Sequence, residues 1–304
     1  MVSTWQAVRA THEAERAQAA ETEVREQGAR ARAVSDFLKN DVLKQASPFE
    51  QPNANITLRE AIEKAAAKIS SRFREHPLIE AELHAAFGEA FVVIDDVEAA
   101  KHLEVALQTR QDLLGNDHRD TLRAGAAVAE AVHYKGGDAK ALISNVLATQ
   151  RRVLGDGDLD TILSMVTLAD IVFWQGDFQQ SEALLKEAIA YREKLGNDID
   201  SEARLPIQIM LIGLAFQYTQ TGKLDDAEQL YLKVLKLERQ RSGAFSLSSN
   251  LAAANLADAY LRRRQMDKAE SYLAEAVPRI RKSIGDGKPG PQYYMAKLAR
   301  VYTE

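Results

Sequence analysis

Along residues 162–280 the apolar positions fall at i, i+3 and i+4, the spacing that gathers them on one face of a helix. One series of segments carries Leu168, Ala169 and Val172, then Leu214, Ala215 and Tyr218, then Leu256, Ala257 and Tyr260. A second series alternates with it and carries Leu185, Ala188 and Ile189, then Tyr231, Val234 and Leu235, then Leu273, Ala276 and Val277. We term these helix A and helix B. The pattern predicts an all-α chain without strands.

Turn residues punctuate the two series. Leu114-Gly115-Asn116-Asp117-His118-Arg119-Asp120-Thr121 recurs 40 residues later as Leu154-Gly155-Asp156-Gly157-Asp158-Leu159-Asp160-Thr161. Leu195-Gly196-Asn197-Asp198 follows, Ser242-Gly243 holds the next place, and Ile284-Gly285-Asp286-Gly287 is a weaker last copy. Tighter turns lie between them. Gln175-Gly176-Asp177-Phe178 precedes Ser181-Glu182, Thr221-Gly222-Lys223-Leu224 precedes Ala227-Glu228, and Arg264-Gln265-Met266-Asp267 precedes Ala269-Glu270. A repeat is therefore helix A, a tight turn, helix B and a longer polar loop. A fixed period of this length signals stacked helix pairs. Five repeats fit, at about 82–115, 122–155, 162–196, 206–243 and 251–285.

Ala169, Ala215 and Ala257 would let the two helices of a repeat approach closely. Asp120 and Asp160 read as helix N-caps. Gly115, Gly155 and Gly196 read as the glycines that end helix B. The first repeat departs from the pattern, with Ile94-Asp95-Asp96 in place of the Gly turn, and the second is a residue short after Gly136-Gly137. Pro291 to Tyr302 reads as one more helix A, with Leu298, Ala299 and Tyr302 in the marker positions. It is spaced to cover Leu273, Val277 and Ile280, which the fifth repeat would otherwise expose.

These marks resemble the tetratricopeptide repeat, and the Leu-Gly-x-Asp-x-x-Asp-Thr loop is similar to the kinesin-light-chain variety. The resemblance implies a right-handed superhelical solenoid whose A helices line a concave face that receives a protein or peptide. Upstream, residues 56–73 open a helix with the stripe Leu58, Ile62, Ala65, Ala66, Ile69 and Phe73, suited to cap the stack. Residues 47–55 read as a loop, with two prolines and two asparagines. Residues 3–46 read as one long charged helix. Its 3,4-spaced stripe of Ala7, Ala10, Ala14, Ala17, Val24, Ala31 and Leu38 is interrupted by Glu21, Gly28 and Ser35, a poor coiled-coil seam. The expected organisation is a helical linker at 1–46 and a repeat solenoid at 47–304, with homodimerisation through the linker as an option.

The stretch Val34 to Ala46, with Thr57-Leu58-Arg59-Glu60-Ala61 and Arg72-Phe73, resembles the segment before the repeats in bacterial membrane-anchored serine/threonine kinases. In those proteins a kinase domain and a transmembrane helix precede a charged helix, which Trp5-Gln6-Ala7 would begin here. A chain cut from such a parent would begin at an added or reassigned Met. The repeats would then lie outside the cytoplasm, and otherwise inside it. The same repeat block also follows winged-helix transcription-regulator domains.

Composition narrows the function. The 304 residues are 46% apolar and 27% charged, with a net charge of −5. An acidic balance argues against direct nucleic-acid binding, which needs a basic face. No cysteine is present, so thiolate nucleophiles and Cys-ligated zinc are excluded. The longest apolar stretch, Leu205 to Phe216, is broken by Pro206 and Gln208 and is too short to cross a bilayer. Asp156-Gly157-Asp158-Leu159-Asp160 begins like a calcium loop but has Thr161 where Gly is needed and Thr167 where a bidentate Glu is needed. His12, His76, His84, His102, His118 and His133 form no metal-ligand spacing. The chain is read as non-enzymatic, without cofactor or metal.

What remains is the A-helix face. Counted from the small marker residue, it presents Glu89 in the first repeat and Glu130, His133 and Tyr134 in the second. The third gives Asp170, Phe173 and Trp174, the fourth Phe216 and Gln220, and the fifth Asn255, Asp258 and Arg262. The position after the marker is acidic in four of five repeats, with aromatics beside it. Such a face suits a partner with basic and apolar side chains, held by carboxylates and aromatic rings. The alternative is that Phe173 and Trp174 close the turn against the next repeat while the acids are merely solvated. In the kinesin-light-chain resemblance, Asn255 of Asn255-Leu256-Ala257 implies a clamp on a peptide backbone. The other repeats have Ala86, Ala127, Thr167 and Gly213 there.

Overall fold

The computed structural model describes residues 2–42, 57–92, 96–196, 207–241, 246–284 and 289–301. Among them every regular element is helical. The expected loop at 47–55, the Ile94-Asp95 turn and the marker Tyr302 lie outside the described residues. The chain divides into two compact units, residues 1–139 and 140–304, so the division falls inside the second repeat.

The first unit contains α1 (Val2–Phe37), a π-helical turn (Leu38–Val42), α2 (Leu58–Ala66), α3 (Ile69–Phe73), α4 (Pro77–Val92), α5 (Asp96–Leu114) and α6 (Arg119–Tyr134). The N-terminal helix therefore leaves α geometry at Phe37, earlier than the sequence pattern suggests. A π turn sets residues five apart on one side. Here it directs Phe37 and Val42 together into a core with Ile62, Ile69, Phe73, Leu83, Phe87 and Phe91. Phe37 meets Phe73 and Phe87 edge-on, at 5.6 and 6.1 Å. A reciprocal capping box between Thr57 and Glu60 starts α2.

The pair α4 and α5 is the first A–B hairpin. Its small marker is Gly88, where a β-carbon would stand 2.5 Å from Leu103 Cγ, so only glycine allows this approach. The same interface holds His84 and His102, with their Nδ1 atoms 2.6 Å apart. Phe91 stacks on the His102 ring at 5.6 Å. Burial, then the neighbouring His102, pushes His84 down to about 4, while Glu80 opposes the shift. Burial also lowers His102.

The second unit contains α7 (Lys140–Val153), α8 (Leu159–Trp174), α9 (Phe178–Lys194), α10 (Ile207–Gln220), α11 (Leu224–Arg241), α12 (Leu247–Arg262), α13 (Met266–Ile284) and α14 (Pro289–Val301). From α7 each helix packs on its successor, and α12 also touches α10 and α14, the stacking of successive helix pairs. The marker residues form the core: Leu168, Ala169, Val172, Leu214, Ala215, Tyr218, Leu256, Ala257 and Tyr260 are all buried. Leu273, Val277 and Ile280 are buried as well, with Tyr294 and Val301 of the packed helix α14.

The N-caps differ from the expected ones. His118 and Asp158 hold extended backbone and accept from the amides of Asp120 and Asp160, at 3.1 and 2.9 Å. Asp120 and Asp160 sit in the first turn, where the helix dipole favours an acid. The expected C-terminal glycines hold, with φ of +83° at Gly115, +88° at Gly155 and +73° at Gly196. Gly176 and Gly222 take the same left-handed form in the tight turns, at +87° and +82°. In the fifth repeat that place belongs to Arg264, at φ +57°.

Candidate partner-binding face

In the third repeat Asp158 starts α8, and α8 runs to Trp174 before Gly176 reverses the chain into α9. Asp177 caps α9 by accepting from the Gln180 amide at 3.0 Å. The two helices are tied at the marker: Ser181 donates its hydroxyl to the Ala169 carbonyl, and Gln217 of the next repeat donates to Ser181 Oγ, each at 2.5 Å. This fixes the end of α8 against α10 and places an aromatic cluster there. Phe173 lies 5.4 Å from Trp174, 5.3 Å from Phe178 and 5.8 Å from Phe216, ring centre to ring centre.

Within that cluster the roles separate. Phe173 is buried, so it closes the turn and is not a surface for a partner. Trp174 is 66% exposed and Phe178 43% exposed. Phe216 is half-buried and Asp170 exposed, one helical turn before Trp174. Phe178 was not among the residues the sequence singled out. It opens helix B, and the marker count followed helix A alone.

The fifth repeat is organised differently. Asn255 Oδ1 accepts from the Tyr294 hydroxyl at 2.8 Å. Asp258 is buried and pairs with Lys297, and Arg262 Nε lies 3.4 Å from its carboxylate. Arg262 also donates to Gln220 Oε1 at 2.8 Å. Asn255 and Asp258 are thus engaged by the chain's own α14. That helix occupies the place of a next helix A, as Pro291 and the Leu298-Ala299 marker indicated.

In the first unit Glu89 and Glu130 are exposed on α4 and α6. His133 is half-buried, its ring 6.0 Å from that of Tyr134, which is 59% exposed.

Charged contacts bind neighbouring repeats behind this face. Glu182 accepts from Lys186, Lys223 and Tyr218 at 2.7, 2.6 and 3.0 Å. Lys186, then Lys223, holds its carboxyl down at about 2, with a smaller contribution from Tyr218, against the effect of burial. Burial, then the hydrogen bond to Glu228, pushes Tyr260 up. No group of three or more His, Asp or Glu among the described residues could hold a metal ion. No described helix is long and apolar enough to cross a membrane.

Two family models of the tetratricopeptide repeat match the chain, over residues 161–198 and 207–282. The repeats of the second unit are tetratricopeptide repeats. No curated protein sequence matches. Solved structures share the fold. A putative kinesin light chain from Podosopora anserina with nearly identical TPR-like repeats is 20% identical, covering 70% of this chain and all of that one, with a TM-score of 0.55. BtubC (BKLC) from P. vanneervenii is 17% identical over 75% of this chain and 91% of its own, with a TM-score of 0.58. A Signal Transduction ATPase with Numerous Domains with a tetratricopeptide repeat sensor, from Pyrococcus horikoshii, is 18% identical. It matches over 80% of this chain and 36% of its own, with a TM-score of 0.56.

Proposed function

We propose that this chain is a non-catalytic protein-interaction module that takes its partner on the A-helix face of the second unit. The observation that carries the reading is Trp174, a large aromatic left 66% exposed above the ring cluster of Phe173, Phe178 and Phe216. Exposed aromatics beside polar residues are where binding energy concentrates in interfaces. Asp170 lies one helical turn before Trp174 and is exposed, which favours a protein or peptide with basic and apolar side chains. Glu89, Glu130, His133 and Tyr134 are the corresponding A-helix residues of the first unit, a candidate by themselves.

The biological setting rests on the sequence resemblance before the repeats. That resemblance supports reading the module as the sensing or scaffolding region of a bacterial signalling serine/threonine kinase, outside the cytoplasm in that arrangement. The repeat sensor of the archaeal ATPase supports the same kind of role. A test compares the wild-type chain with Trp174→Ala and Asp170→Lys for co-purification of host proteins. The same bands should be lost in both variants while the melting temperature of Asp170→Lys stays within a degree or two. Equal recovery by all three would defeat the reading.

A second reading, self-assembly, draws on α1. Its 36 residues extend about 54 Å at the α-helical rise, and Val24 on it is 69% exposed. Light scattering with and without residues 1–33 decides whether α1 holds a dimer.

A further inference from the structure

Successive helices B of the second unit are joined by one charged pair at each stage. Counted from the small residue that opens each helix B, the residue twelve on in one helix meets the residue six on in the next. From Ala139, just before α7, and Ser181 these are Arg151 and Glu187, 2.8 Å apart. From Ser181 and Ala227 they are Glu193 and Lys233, 3.1 Å apart. From Ala227 and Ala269 they are Arg239 on α11 and Glu275 on α13, with the charges in the same order as in the first pair.

This third pair does not form. Glu275 accepts instead from Arg279 of its own helix, at 2.6 Å. Arg239 meets no acid among the described residues. Where the pair would stand there is a cavity of about 420 Å³, counting its open mouth, and Arg239, Glu275 and Arg279 all line it. Two guanidinium groups share that opening with one carboxylate, so one positive charge is left over. A surface arginine can simply extend into water. Here, though, the tie found at both earlier stages is open and a cavity holds its place.

We propose that this cavity binds a small monocarboxylate, whose carboxylate takes at Arg239 the place that Glu187 takes at Arg151. A guanidinium presents a planar fork of donors that matches a carboxylate. The single uncompensated charge selects a monoanion. Leu235, Ala253 and Ala276 line the same cavity and give a short aliphatic tail an apolar wall. Bound there, the ligand lies between α11 and α13 and completes the missing tie between the fourth and fifth repeats. None of the cavity's residues belongs to the partner face proposed above, so the site stands independently of that reading.

The probe is sodium propionate, exchanged for chloride at constant ionic strength and followed by the amide resonances of the full chain. Shifts should saturate in α11, α12 and α13 and be absent around Arg151, where the acid is already in place. Arg239→Gln should weaken binding about tenfold or more, the scale of a lost hydrogen bond to a charged group. Lys236→Gln removes an exposed cation of the same helix that does not line the cavity, and it should leave binding unchanged. Inorganic phosphate serves as the competing anion, and its saturable binding in preference to propionate would overturn the monocarboxylate. Shifts that never saturate, that saturate equally around Arg151, or that both variants weaken alike would overturn the site. So would a closed ion pair in solution, seen as Arg239→Gln, Glu275→Gln and the double variant all melting equally early, with no response to propionate.

Discussion

The hydroxyl of Tyr260 donates to the carboxylate of Glu228 at 2.8 Å, joining helix A of the fifth repeat to helix B of the fourth. One stage earlier, Tyr218 donates to Glu182 at 3.0 Å in the same way. A cation accompanies each pair: Lys223 and Lys186 at Glu182, Arg263 at Glu228. The acid that follows the small residue opening helix B is thus matched to the tyrosine three places after the marker of the next helix A. Removing either hydroxyl, by Tyr218→Phe or Tyr260→Phe, should cost about 1 kcal/mol each, read as a lower denaturant midpoint with unchanged slope. The two losses should add, because no side chain is shared between the pairs.

The acid response of the second unit follows from Glu182. Its carboxyl is held at about 2, against an ordinary value of 4.5, chiefly by Lys186 and Lys223. A depressed carboxyl stabilises the fold fully above its unfolded value, and that stability is lost as pH falls from about 4.5 toward 2. Glu182→Gln should destabilise the chain at neutral pH by roughly 1 kcal/mol, discounted for its partial exposure, and flatten the fall below pH 4.5. An unchanged acid limb in that variant would contradict this.

The first unit should respond at higher pH. His84 is held at about 4, below its usual 6.5, by burial and by His102, which burial also lowers. Glu80 favours protonation of His84 and Glu98 that of His102, while Lys101 opposes it, and burial prevails. The unfolded chain takes both protons near pH 6.5, while the folded one keeps His84 neutral to about 4 and lowers His102 as well, so stability is full above 6.5 and falls as pH drops below it. Amide exchange in α4 and α5 should quicken between pH 6.5 and 4.5. Joint replacement, His84→Leu with His102→Leu, should abolish that dependence.

Much of this was legible because a solenoid is local. Each marker residue reports on its own helix and the next, so Leu168, Ala169 and Val172 predict their burial without knowledge of distant contacts. Gly88 holds the marker position from which Glu89 is counted, but glycine inside a helix carries no apolar signal, so periodicity does not show that the α4–α5 approach depends on it. On the binding face, periodicity gave which helix side a residue occupies and not what covers it. Phe173 and Trp174 are adjacent on that side, and it is the rings of Phe178 and Phe216 that pack on the first, which is buried, while the second is exposed. Asn255 and Asp258 have the right register for a groove. The side chains that engage them, Tyr294 and Lys297, lie 39 residues away in the terminal helix.

Arg264 stands in the left-handed turn position that glycine holds at Gly176 and Gly222. A β-carbon there disfavours the conformation by about 1 kcal/mol. Arg264→Gly relieves that strain and adds freedom to the unfolded chain, which offsets part of the gain. A net stabilisation of about 0.5 kcal/mol is expected at the denaturant midpoint. The reverse change, Gly222→Arg, should destabilise.

The terminal helix α14 carries the last prediction. It covers the end of the stack, where Leu273, Val277 and Ile280 of α13 are buried, and it adds buried Tyr294 and Val301 of its own. An uncovered last repeat exposes its apolar stripe. Burying these side chains contributes a few kcal/mol before entropy losses, at about 1.5 kcal/mol or less each. The polar cost adds to this, since deletion leaves Asp258, itself buried, without Lys297. Removing residues 289–304 should therefore speed amide exchange first in α12 and α13, with α8 and α9 still protected. Lys297→Met separates the two contributions. It keeps the apolar stem and removes only the charge, so it should loosen α12 around Asp258 while α13 stays protected. Unchanged exchange in α12 and α13 on deletion would mean that α14 caps nothing, and that Asp258 is held by Arg262 alone.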